Sequence, residues 1–123
     1  MLINLFLAII KYYIMIGPTL VALVVSAIIL ETLSQFMARL YYENKSKLFL
    51  AFIGWALYLG VIFILVLMYD YSKIAIANAL WDSGTIITLS LVGWLYFGEP
   101  LNTGELIGIS LVVAGALTIG FTT

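Results

Sequence analysis

Charges in this chain fall mostly in short clusters, and between the clusters lie apolar runs of the length a bilayer demands, roughly 20 residues at about 1.5 Å rise each. The first predicted helix covers residues 18–38, opens after Gly17-Pro18 and has Glu31 inside it. Proline suits a first helical turn because that position has no intrahelical N–H bond to lose. The second, 48–69, carries no charge and ends at Asp70-Tyr71. The third, 72–97, holds Asp82 in its interior, and Gly98-Glu99-Pro100 supplies a glycine-then-proline stop. The fourth covers 103–121.

The connections at 41–47, 70–71 and 98–102 are short, so each helix runs antiparallel to its predecessor. A transmembrane barrel would show segments of roughly ten residues with strict alternation, whereas these runs are about twice as long and apolar all round. The expected fold class is therefore an all-α integral membrane protein, with four transmembrane helices forming one domain over residues 17–123.

Residues 1–16 form an extension in which apolar residues 1–10 are followed by Lys11 and a Tyr12-Tyr13 pair. The apolar part is too short to span a bilayer alone, and we read it as a short interfacial helix. A signal peptide would carry its positive charge ahead of the apolar run and end in a small-residue cleavage site; neither is present. A helical extension continuous with the first span, kinked at Gly17-Pro18, is the alternative.

Composition agrees with the pattern. Of 123 residues, 65% are hydrophobic and 9% charged, against about a quarter charged in soluble domains. Such a chain has too little polar surface to be soluble. Absence of cysteine and histidine removes disulfides, thiolate nucleophiles, imidazole bases and conventional zinc sites. We expect no cofactor and no metal. A net charge of −1 leaves no basic stripe for a phosphate backbone, so nucleic acid is not an expected partner. Arg39, Lys45 and Lys47 fall on one side of the predicted bundle, Lys11 and Lys73 on the other. So even a balance gives the positive-inside rule little to act on, and insertion in both orientations is expected.

Chemistry then rests on intramembrane acids, each costing on the order of 3 kcal/mol at the centre of a span. Helical spacing puts Ala27, Ser34, Gln35 and Ala38 on the face of Glu31, a narrow polar stripe among small residues. A carboxyl whose protonation is set by such neighbours can trade a proton for a cation; interhelical hydrogen bonding is the alternative role. Asp82 has Asn78 four residues before it, Thr85 three after and Trp81 beside it. It either serves the same site or supports a local break at Ser83-Gly84-Thr85. Arg39 and Lys73, near helix ends, are expected to snorkel to the interface.

Most aromatics read as an interfacial belt: Tyr12, Tyr13, Tyr41, Tyr42, Tyr69, Tyr71 and Tyr96 sit near helix ends. Tyr58 and Trp81 fall inside spans, where a ring beside an acid either packs or stacks on an organic cation. Gly104, Gly108 and Gly115 share a face of the fourth helix and allow another helix close approach, with Gly120 beside the end of that face. Intramembrane proteolysis does not fit. The serine type needs a histidine or lysine base, and the aspartyl type pairs Tyr-Asp with Gly-x-Gly-Asp. Tyr69-Asp70 is at a helix end, and Asp82 follows Ala79-Leu80-Trp81. The chain is not expected to be an enzyme.

Over about residues 21–121 the sequence resembles the small multidrug resistance family of the drug/metabolite transporter superfamily. The segment ETLSQFMAR, from Glu31 to Arg39, is similar to a first-helix signature in which a glutamate is followed eight positions on by a basic residue. Tyr58 falls at the family's second-helix tyrosine. ANALW, ending in Trp81, resembles the third-helix tract that closes on the site tryptophan. Gly98-Glu99-Pro100-Leu101 resembles the superfamily's turn before the last helix, and Gly108 and Gly115 match its dimer glycines.

The resemblance implies a proton-coupled antiporter exporting small organic cations, working as an antiparallel homodimer in which two copies of Glu31 share one site. The two carboxyls would titrate as a coupled pair, and inverted copies are a general route to alternating access. Intramembrane placement and this resemblance together imply that Tyr58 and Trp81 line the site, Ser34 and Asn78 hydrogen-bond within it, Asp82 tunes or extends it, and Gly108 and Gly115 make the dimer. Asn78 stands where multidrug members carry a tyrosine, Asp82 replaces a small polar residue, a glycine-rich bend is reduced to Gly84, and residues 1–16 have no counterpart. These departures keep two alternatives open: a non-transporting scaffold or accessory subunit of the same fold, and an obligate heterodimer with a paralogue.

Overall fold

The computed structural model describes residues 1–122, with side chains described for 1–11 and 17–119. Tyr12, Tyr13 and Gly120, singled out above, lie outside the described side chains. Five helices follow in order: α1 (Leu2–Ile16), α2 (Pro18–Glu43), α3 (Leu48–Met68), α4 (Ile74–Leu95) and α5 (Thr103–Thr122). No strand occurs among the described residues. Three of the helices, α2, α3 and α4, are long and apolar enough to cross a membrane; α5 is apolar over a shorter described length, 103–119.

Local chemistry sets the breaks. Gly17 adopts φ 81, which L side chains rarely tolerate, and Pro18 opens α2 directly after it. α1 is thus separated from α2 by a single residue, as a break in the helix. α2 runs five residues past its expected end at 38, to Glu43. Asn44 then stops it: its N–H reaches the Leu40 and Tyr41 carbonyls, and its Oδ1 accepts from Ser46 Oγ at 2.6 Å. α5 begins with a reciprocal capping box, in which Glu105 N–H donates to Asn102 Oδ1 at 2.8 Å and Asn102 N–H to Glu105 Oε2 at 3.0 Å.

α2 is the hub. It packs on α3 and α4, α5 lies against α4, and α1 touches α2 and α5. The core is small, built from Leu20, Ala27, Val61, Leu65, Met68, Ala77 and Trp81. Lipid tails are as apolar as leucine, so helices associate through close packing and interhelical hydrogen bonds. Both are present. A Cβ on Gly54 would stand 3.1 Å from the Ser34 carbonyl, and one on Gly84 would run into the Ile28 side chain. Ser34 Oγ donates to the Gly54 carbonyl at 2.7 Å, tying α2 to α3, and the Thr32 and Thr88 hydroxyls meet at 2.6 Å between α2 and α4.

Candidate functional site

Glu31 is buried, with 6% of its surface exposed, on the α2 face that packs against α4. Gln35, one turn on, donates Nε2–H to Glu31 Oε1 at 2.8 Å. Thr85 Oγ1 lies 3.3 Å from Glu31 Oε2. That same hydroxyl lies 3.1 Å from the Trp81 carbonyl, so its single proton has two acceptors. Among the described residues no basic side chain pairs with Glu31; the two ion pairs both belong to Arg39.

Trp81 is buried beside this carboxyl, and its indole N–H has no hydrogen-bond partner among the described residues. The ring nitrogen is close to Glu31 without completing a hydrogen bond. A buried donor left unpaired costs about 1–3 kcal/mol, which makes it an available contact for an incoming group. Asp82 is close enough for its charge to act on Glu31 and Tyr58, and Glu31 acts on Tyr58 as well. Yet Asp82 and Tyr58 are exposed on the single chain, and Asn78 is half-buried.

Ser34 is buried on α2 as well. Its hydroxyl is committed to the α3 backbone at Gly54. Spacing on α2 placed it on the acid's face, but position 34 points toward the α2–α3 contact while Gln35 reaches the carboxylate. Gln35 and Thr85 are the neighbours that sequence reasoning put on the stripes without assigning to Glu31. The signal for Gln35 was its i+4 position; nothing local linked Thr85 to a residue so distant in the chain.

Arg39, near the end of α2, has acidic partners of its own. It pairs with Glu99 in the α4–α5 turn, its Nε lies 3.3 Å from Glu43 Oε1, and its guanidinium sits 4.7 Å from the Phe97 ring centroid. Phe36 packs edge-on against Tyr96 at 4.9 Å in the same cluster. Ion pairs this exposed contribute about 1 kcal/mol or less. An apolar cavity of about 260 Å³ between α2, α4 and α5, walled by Val21, Val25, Ile28, Ile87 and Val113, contains none of the expected site residues. Gly108 and Gly115 face open space: nothing lies within 4 Å of a Cβ built on either.

A helical membrane protein with a buried acid that has no cationic partner among the described residues is the class that fold and site define together. The chain belongs to the small multidrug resistance family, whose description, Small Multidrug Resistance protein, matches residues 19–112. It is 39% identical over 49 residues to the multidrug transporter EmrE of Escherichia coli K12, covering 40% of this chain and 44% of that protein. It is 31% identical over 62 residues to the uncharacterized membrane protein YvaE of Bacillus subtilis 168, covering 50% and 52%. It is 34% identical over 55 residues to the multidrug transporter PA4990 of Pseudomonas aeruginosa, covering 45% and 50%. The matched segments thus span about half the length of these curated relatives. No solved structure matches the chain.

Proposed function

We propose that this protein is a proton-coupled antiporter of small organic cations in which Glu31 binds proton and substrate in turn. The observation that carries the reading is the burial of Glu31 within a helix long and apolar enough to cross a membrane, with hydrogen-bond partners and, among the described residues, no cationic one. Two relatives named as multidrug transporters support a small-molecule cargo. Substrate charge would replace the proton, Trp81 and Tyr58 would enclose the cation through their rings, Asn78 would hydrogen-bond to it, and Asp82 would extend the site. Ser34 would act mainly by holding α3 in place.

The working unit in this proposal is an antiparallel homodimer. The open faces at Gly108 and Gly115 and the exposure of Tyr58 and Asp82 on one chain are what a second copy would cover. Residues 17–123 form the transmembrane domain, α5 being its fourth span, and α1 lies in the interface as an apolar N-terminal extension.

The test is flux of a small organic cation driven by a proton gradient in proteoliposomes, comparing wild type with Glu31→Gln. Loss of coupled flux in the variant is expected. Equal flux in both removes the mechanism, and no flux in either points to a scaffold.

A further inference from the structure

A second polar feature lies one helical turn beyond the Glu31 contacts. Where α2 approaches the α4–α5 turn, a cavity of about 230 Å³ is bounded by Gln35, Phe36, Arg39, Val92, Phe97 and Glu99. A water occupies about 30 Å³ of liquid, so there is room for several, and the polar walls offer them partners. Hydrocarbon offers a guanidinium, a carboxylate or a second amide group nothing to bond with.

Glu31, Gln35 and Arg39 stand four residues apart along α2 and so share one face. Gln35 belongs to both features: it lines the cavity and donates to Glu31 Oε1 at 2.8 Å. At the mouth, Arg39 pairs with Glu99, and Glu99 Oε2 lies 3.2 Å from the position a Cβ on Gly93 would take. Glycine there lets the carboxylate fold against α4.

We infer that the Glu31–Gln35–Arg39 ladder lines an aqueous approach to Glu31 from the membrane face that holds Arg39, and that the Arg39–Glu99 ion pair covers its mouth. The use of the passage rests on the exchange role proposed for Glu31, but its existence is measured without any transport. Gln35 acts here as a positioning residue, holding the carboxyl at the inner end of the passage.

The chain has no cysteine, so one introduced thiol reports alone. Val92→Cys on the cavity wall and Leu59→Cys, 72% exposed on the apolar face of α3, are placed in the full chain in lipid nanodiscs, where both faces meet the reagent. Labelling is followed with a charged, membrane-impermeant methanethiosulfonate. Val92→Cys should label faster than Leu59→Cys, and about fivefold faster again when Glu99→Gln removes the ion pair, the most that a pair this exposed supports. Arg39→Gln should act like Glu99→Gln, so that a folding defect in one leaves the other to decide; Arg39→Lys should keep the slower rate. Equal rates at the two cysteines, with the pair intact and broken, overturn the inference. If Glu31→Gln keeps full flux while this labelling pattern holds, the exchange role falls and the passage stands.

Discussion

Thr85 Oγ1 on α4 stands between two acceptors, the Trp81 carbonyl at 3.1 Å and Glu31 Oε2 on α2 at 3.3 Å. When Glu31 is ionised, the hydroxyl can turn its proton to the carboxylate. When Glu31 is protonated, the carboxylic acid can donate to Thr85 while Thr85 donates to Trp81. One rotor thereby satisfies both forms without moving a helix. Thr85→Val, which keeps the shape and removes the hydroxyl, should slow coupled flux by about tenfold or more, since a hydrogen bond to a charged group contributes about 1.5–3 kcal/mol. Thr85→Ser should stay near wild type. Flux in Thr85→Val equal to wild type would show the rotor to be idle.

In the proposed exchange proton and cargo compete for Glu31, and that competition would have a sign that can be read in a titration. Lowering the pH fills Glu31 with protons, so cation affinity should fall as pH falls, by up to about tenfold per pH unit for each proton displaced. Calorimetric binding of a tetraalkylammonium probe across the acid limb checks this. Wild type should show the slope and Glu31→Gln should show none; a flat wild-type profile would separate binding from protonation.

Ser34→Ala removes a hydrogen bond between α2 and α3 and leaves Glu31's partners intact. A stability loss of about 1 kcal/mol is expected, within the range of interhelical bonds in membranes, with probe affinity unchanged. Thermal unfolding in one fixed detergent, beside a binding isotherm, separates the two roles. An affinity loss at constant stability would return Ser34 to the site.

Gly108→Leu and Gly115→Leu add bulk where the single chain has open space. Helix content by circular dichroism should therefore hold, while mass measurement in mild detergent should shift from dimer toward monomer. Unchanged mass in both variants would place the subunit contact elsewhere.

Much of the helix framework was legible because bilayer thickness sets a length and charge marks the ends. The exception at the end of α2 is instructive. Tyr41, Tyr42 and Glu43 read as a polar connection, but Glu43 reaches Arg39 one turn back and Asn44 caps the carbonyls, so the helix continues to Glu43. Glu31 was legible as an isolated acid in an apolar run. Asp82, read as serving the same site or supporting a local break, is exposed on the single chain, where Ala77, Trp81 and Thr85 take the buried positions of α4. The Arg39–Glu99 pair joins residues on different elements, and a single sequence contains no periodicity that would reveal such a meeting.

Only 22% of the most apolar window in each of α2, α3 and α4 is buried within the chain. The remaining positions are left for a second copy or for the surrounding amphiphile to cover, and that amphiphile becomes part of the thermodynamic system. A melting temperature measured in a short-chain detergent and one in a long-chain lipid would describe two different materials, so mutant comparisons carry meaning only at constant acyl length.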